Sequence, residues 1–218
     1  MAHNHGKADW TDDERVQRMA NSYKVRYDDR FWKAFSSLTN RDSQPVVADF
    51  GCGPGLLLAD IANRFKAHTA IALDESEQML ALAEKNLREL TKLESIDIQH
   101  VNFDTDEIQM EKNSIDFAFS GFMLHEVANP LDFVTNVKRV IKSNGIFVVY
   151  DFVSGNEEMF VKTVARQGMS EEDARKRYPH MCKHSADDIV EKLETSGFSD
   201  CRLITIDAVR AVVVGLKR

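Results

Sequence analysis

The sequence predicts an α/β protein with a doubly wound, mostly parallel sheet finished by an antiparallel C-terminal strand pair. Short apolar runs at 46–50, 69–73, 96–101, 115–120 and 146–152 alternate with amphipathic stretches of helical length. A glycine-rich turn, Gly51-Cys52-Gly53-Pro54-Gly55, stands between the first run and the helix after it. The last two runs, 202–206 and 209–216, are joined only by Asp207-Ala208, too short for a crossover helix, so they must pair antiparallel.

Each element has its own signal. Residues 11–37 read as one helix, with Thr11 and Glu14 as a capping box and Val16, Met19, Tyr23, Tyr27, Phe31 and Phe35 at helical spacing. Pro45 then breaks the chain. Leu57, Leu58, Ile61, Ala62 and Phe65 mark the helix after the glycine turn, and Ser76 caps another that runs to about Leu90. A helix over 130–141 closes at Asn144-Gly145. Residues 153–184 are charged and break the rhythm, which predicts a helical excursion. After Ser185 a last helix ends at Gly197-Phe198.

Bulk properties bound the function. At 218 residues, 43% of them hydrophobic, the chain can bury a core without disulfides or a structural metal. A net charge of −7 argues against general binding to nucleic acid or to anionic membranes. The three cysteines, Cys52, Cys182 and Cys201, form no paired framework, as expected of a reducing cytoplasm. The polar start around His3 and His5 has no apolar signal core behind it, and no run is long enough to span a bilayer.

The glycine turn offers backbone that can approach a ligand closely, at a helix start with free N–H groups. Its details select among ligands. A dinucleotide fingerprint would place Gly or Ala at position 56, where Leu56 stands. Asp49, two residues before the first glycine, repels phosphate and suits a cationic group such as an ammonium or sulfonium. Asp74, after the second strand, has the geometry to accept both hydroxyls of a ribose; a charge favoured by the following helix dipole is the competing reading. Together with the glycine turn, Asp74 reads as a ribose ligand.

These segments resemble the class I S-adenosylmethionine-dependent methyltransferases, particularly the small-molecule group that includes the ubiquinone and menaquinone biosynthesis enzymes. Residues 46–55 are similar to that family's first motif and 72–80, Ala-Leu-Asp-Glu-Ser-Glu-Gln-Met-Leu, to its second. Asn102-Phe103-Asp104-Thr105 resembles its adenine loop, 114–127 its fourth-strand motif and 143–149 its fifth. The match covers about 46–152; the first 40 residues and 153–184 carry no family signature. The resemblance implies a Rossmann-like seven-stranded sheet and S-adenosylmethionine as cofactor. It places Gly51 and Gly53, with Asp49 and Cys52 beside them, at the methionine portion. Asp74 falls at the ribose, Met79 and Phe103 against the adenine ring and Asp104 at its amino group, with Glu75 and Thr105 as further cofactor-binding residues. Ser120 closes the set at the end of the fourth strand.

The expected organisation is a single domain: a helical cap over 1–40, a cofactor-binding core over 41–152, a variable substrate-side segment over 153–184, and a C-terminal helix and strand pair over 185–218. Methyl transfer from a sulfonium is an in-line displacement, so alignment supplies much of the catalysis, and a base is needed only if the acceptor must lose a proton. His125, after the fourth strand, is a candidate general base or an orienting group. Asp151, at the end of the fifth strand, and Tyr27, in the helix expected to cover the site, are the other catalytic candidates. Glu126 is expected to face solvent. Phe122 is placed at the substrate. His180, Cys182 and His184 alternate, so an extended segment would put all three on one face. That spacing is no standard zinc pattern, and His180 and His184 are read as pocket-lining with no metal. The expected partner is a small-molecule methyl acceptor. A protein acceptor, a silent cofactor-binding scaffold and an RNA methyltransferase are the alternatives, the last opposed by charge and by Gly121-Phe122-Met123-Leu124 after the fourth strand.

Overall fold

The computed structural model describes residues 19–218. The capping box at Thr11 and Glu14, Val16, His3 and His5 lie outside the described residues. The sheet has seven strands in the order β3-β2-β1-β4-β5-β7-β6. They are β1 (Val46–Phe50), β2 (Thr69–Asp74), β3 (Ser95–His100), β4 (Ile115–Gly121), β5 (Ile141–Phe152), β6 (Ser199–Asp207) and β7 (Arg210–Leu216). β1 to β5 run parallel, and β7 pairs antiparallel with both β5 and β6. The order reverses between β1, which leads outward to β2 and β3, and β4, which leads to β5. The loops after β1 and β4 therefore diverge and leave a crevice at the carboxyl ends of the strands.

The helices are α1 (Tyr23–Arg26), α2 (Asp29–Thr39), α3 (Leu56–Arg64), α4 (Glu77–Leu90), α5 (Pro130–Val140), α6 (Glu157–Ala165), α7 (Glu171–Met181) and α8 (Ala186–Thr195). Period-2 alternation divides the core between the two faces. Val148, Tyr150 and Phe152 of β5 join Phe117 and Phe119 of β4 beneath α2 and α3, while Phe147 and Val149 face α5 and α8. Side-chain caps start most of the helices: Ser76 accepts from the Met79 N–H at 3.3 Å, and Ser185 forms a reciprocal box with Asp188.

The N-terminal helix expected without interruption is broken at Tyr27-Asp28. Asp28 is extended (φ −74°, ψ 179°), and its carboxylate accepts from the Arg30 and Phe31 N–H groups, so it ends one helix and caps the next. Hydrophobic spacing continues across the break because Tyr27 and Phe31 still pack together, with ring centroids 5.0 Å apart. β5 begins at Ile141, directly after α5 and earlier than expected, and the β6–β7 turn falls at Ala208-Val209.

Gly55 shows why the turn needs its third glycine. It has φ 73°, and a Cβ there would lie 2.8 Å from the Ala83 Cα and Cβ, so this glycine lets α3 press against α4. A left-handed non-glycine residue costs roughly 1–2 kcal/mol, and overpacking typically about 1–3 more. Gly55→Ala is expected to lower unfolding free energy by about 2–5 kcal/mol in urea melts; an unchanged midpoint would show that the two helices separate freely.

Candidate active site

A cleft opens at the sheet's switch point. Its floor is the glycine turn. Gly51, Gly53 and Gly55 all have positive φ (85°, 51° and 73°), which strand-to-helix reversal here requires. The Gly51 and Cys52 N–H groups both bond to the Leu73 carbonyl, at 2.8 and 2.9 Å, locking the turn to β2. A Cβ on Gly53 would meet nothing within 4 Å, so this backbone faces open cleft. Leu56 lines the same cavity, filling with a side chain the position where a dinucleotide site keeps a bare backbone.

Asp74 stands across from the turn, 8% exposed. Its Oδ2 accepts from the Gly53 N–H at 2.8 Å and its Oδ1 from the Ser76 N–H at 3.0 Å. The Glu75 N–H is a third backbone donor to this carboxylate, which is thereby oriented at the cleft. Burial raises its pKa to about 6, against the lowering effect of those backbone donors. Asp49 is buried at 2% exposure, and its Oδ1 has no hydrogen-bond partner. Burial and then the Asp74 charge push its pKa well above the carboxylate range. An orphaned, destabilised carboxylate beside a glycine turn fits a cationic ligand group and disfavours an anionic one.

The other side of the cleft is aromatic and charged. Tyr23, Arg26 and Tyr27 descend from the N-terminal side, facing Phe122, Met123 and Glu126 from the loop after β4. Tyr23 donates to the Asp60 carboxylate of α3, closing the N-terminal segment over the turn. Burial raises the Tyr27 phenol, with Asp49 contributing, so it stays protonated as a hydrogen-bond donor. A Cβ on Gly121 would come within 2.8 Å of the Tyr27 Oη, so glycine at that strand end makes room for the ring.

Among the sequence candidates, Gly51, Cys52, Gly53, Asp74, Glu75, Met79, Phe103, Tyr27 and Phe122 line this cleft. Asp104 accepts from the Ala128 N–H at 2.8 Å, bridging the adenine-type loop to the loop after β4. Thr105 turns its hydroxyl to Asp106, and Ser120 is fully buried with its hydroxyl unpartnered.

His125 and its surroundings depart from expectation. The imidazole is 3% exposed and does not line the cleft. Its Nδ1 faces Asp151 Oδ1 at 2.6 Å and its Nε2 faces Glu126 Oε1 at 3.4 Å. Asp151, 1% exposed, also accepts from the His125 backbone N–H at 3.1 Å. Burial opposes the charged ring, but the flanking Asp151 and Glu126 carboxylates outweigh it and raise its pKa to about 9. His125 is thus an imidazolium at neutral pH, with no lone pair to take a proton. Glu126, expected at the surface, is 9% exposed and forms part of the cleft wall. It also meets His180 Nε2 at 3.1 Å and Arg177 at 3.4 Å; burial notwithstanding, its histidine partners lower its pKa to about 2.

The His180-Cys182-His184 face does not form. α7 continues through Pro179 to Met181, so His180 leaves a helix toward Glu126 and Cys182 is buried. His184 keeps a buried Nε2 without a partner, and burial lowers its pKa to about 4. Arg26 and Glu126 escaped the sequence reading because their placement depends on the break at Asp28 and on the return of α7, neither of which leaves a local motif.

Comparison with known proteins agrees with this geometry. Residues 48–149 match the family model of a methyltransferase domain. The malonyl-[acyl-carrier protein] O-methyltransferase of a Marinomonas species is 33% identical over 109 residues, 50% of this chain and 38% of that protein, so the chain spans well under two-thirds of this relative. A carboxy-S-adenosyl-L-methionine synthase of Yersinia pseudotuberculosis is 23% identical over 172 residues, 72% of this chain and 71% of that one. A SAM-dependent methyltransferase structure from Aquifex aeolicus shares the fold with a TM-score of 0.70 at 20% identity, covering 95% of this chain and 99% of the other. The glycine turn, the acid ending β2, the sheet order and these likenesses support a methyltransferase domain of the class I, S-adenosylmethionine-dependent type over residues 48–149, with S-adenosylmethionine the cofactor that the likenesses indicate.

Proposed function

We propose that this protein transfers a methyl group from S-adenosylmethionine to a small-molecule acceptor. The observation that carries the reading is the unpartnered, buried Asp49 Oδ1 beside the open backbone of Gly53 and the two-armed carboxylate of Asp74. When bound, the cofactor supplies an electrophilic methyl on a sulfonium. Asp49 would hold the cationic amino acid end and Asp74 the ribose hydroxyls. Met79 and Phe103 would flank the adenine, with Asp104 and Thr105 near its amino group. Ser120 would support the strand end beneath.

The chain's part in the reaction is then alignment and exclusion of water. Tyr23, Tyr27 and Phe122 cover the cleft, and Tyr27 offers a donor there. His125, already protonated between Asp151 and Glu126, holds Glu126 in the wall and is a positioning residue. His180 belongs to the same group through Glu126, and His184 is a less direct neighbour of the substrate side. The closed wall suits a small acceptor. The Marinomonas relative is named for O-methylation of malonyl-[acyl-carrier protein] and the Yersinia relative for synthesis of a carboxylated cofactor, both chemistries of small groups.

Calorimetry with S-adenosylmethionine and S-adenosylhomocysteine tests the reading. Asp74→Ala removes charge-assisted bonds of about 1.5–3 kcal/mol each, so both ligands are expected to weaken by roughly tenfold or more. Tight NADH binding with no response to S-adenosylhomocysteine would overturn it.

A further inference from the structure

Arg26 is a cation in the cleft wall to which the methyl-transfer reading above assigns no role. It ends α1, and its guanidinium lies 4.8 Å over the Phe122 ring. Its backbone is fixed from two sides: the Arg26 carbonyl accepts from the Tyr150 hydroxyl at 3.1 Å and from the buried Arg210 guanidinium at 3.3 Å. The Arg26 Nε donates to Gln167 Oε1 at 3.3 Å. A guanidinium has only donors, so the amide oxygen must be the atom that faces it. Gln167 Nε2 is left buried without a partner.

Among the described residues, no carboxylate lies within ion-pair distance of Arg26, whereas the neighbouring Glu126 is matched by His125, His180 and Arg177. Burial disfavours the Arg26 charge; Tyr27, Tyr150 and, from beyond ion-pair distance, Asp151 partly offset this, and Arg177 adds to it. Arg26 is therefore a guanidinium in the cleft wall without a carboxylate partner, on a rigid backbone, its Nε held by the Gln167 amide oxygen. The fork of a guanidinium matches the two oxygens of a carboxylate.

We propose that Arg26, positioned by Gln167, binds a carboxylate of the methyl acceptor, which makes the acceptor an organic acid. The inference rests on the methyltransferase reading. Arg26 stacks on the loop after β4 and bonds to the segment between α6 and α7, the acceptor side, and not to the glycine turn that receives the cofactor. A carboxylate held in charge-assisted bonds is a poor nucleophile, so the anchored group orients the acceptor and the methyl goes to another of its atoms.

The test uses full-length protein saturated with S-adenosylhomocysteine and titrated with a series of short to medium mono- and dicarboxylic acids, each paired with its amide. Acids are expected to bind and raise the melting temperature, and their amides to do neither. Losing a charge-assisted pair, Arg26→Gln is expected to weaken acid binding at least about tenfold and Arg26→Lys less, with Gln167→Leu a further, smaller loss. Unchanged S-adenosylhomocysteine affinity in the variants shows that they are folded. Failure of every acid to bind the loaded wild type overturns the inference and leaves the methyltransferase reading intact. If Arg26→Gln weakens S-adenosylhomocysteine but not 5′-methylthioadenosine, which lacks the carboxylate, the anchor belongs to the cofactor tail and the acceptor proposal falls. A wild type that binds no S-adenosylhomocysteine removes both readings.

Discussion

Replacing His125 by alanine is expected to lower the unfolding free energy by about 3–5 kcal/mol, the cost of removing one partner from a buried charge group. The imidazolium joins Asp151, at the end of β5, to Glu126, in the loop after β4, and through Glu126 to His180 and Arg177 of α7. Alanine leaves Asp151 and Glu126, both nearly excluded from water, facing each other without the cation between them. The effect depends on pH in a definite direction. The folded pKa of about 9 lies above the ordinary value of 6.5, so the stabilisation is full below about pH 6.5 and is lost as pH rises through about 9. Denaturant melts of wild type and His125→Ala should therefore differ most near pH 6 and converge toward pH 10. A gap that is constant or widens with pH would mean that the ring is neutral in the fold, and the general-base reading would return. Turnover is expected to fall with the loss of the Glu126 wall; full activity of the variant at neutral pH would show that neither residue positions the site.

Asp49→Asn should separate binding from stability. Without ligand, the wild-type carboxylate is buried with one oxygen unpartnered and its charge disfavoured by burial and by Asp74. Neutralising it without changing its shape is expected to raise the melting temperature of the free protein by roughly 2–4 °C, about 1 kcal/mol for a chain of this size. The same change removes the carboxylate proposed to hold the cofactor's cationic end. Affinity for S-adenosylmethionine and S-adenosylhomocysteine is expected to drop by about 10- to 100-fold, since hydrogen bonds to charged groups contribute roughly 1.5–3 kcal/mol. Paired calorimetry and thermal melts give both numbers. A variant that binds normally, or that unfolds more easily, would assign Asp49 to the architecture of β1 and not to the ligand.

The site was legible to different depths. Gly53, Leu56 and Asp74 could be placed at the cleft from the chain because they lie in short segments at strand ends, where spacing alone fixes geometry; Asp49 is buried in β1 and does not line it. The cleft indeed gathers the glycine turn, Asp74, Glu75, Met79 and Phe103. His125 was found as a polar residue after β4, but its role was not, because which way its ring turns is set by Asp151, its neighbour across two strands. Glu126 looked like a surface residue since its partners, Arg177 and His180, are far along the chain. The alternation of His180, Cys182 and His184 suggested an extended face; Ser170 starts a helix that runs past Pro179, and the alternation loses its meaning.

What the sequence determined by itself was the α/β alternation, the antiparallel finish and the cofactor turn, since each follows from local periodicity, connection length and the conformational freedom of glycine. The tertiary structure decided which charges meet. Asp28 breaks the first helix so that Arg26 and Tyr27 drop into the cleft, and α7 returns to bring His180 and Arg177 to Glu126. Whether a titratable group acts as base, cation or anchor depends on its burial and on partners distant in the chain, and these exist only once the layers have packed.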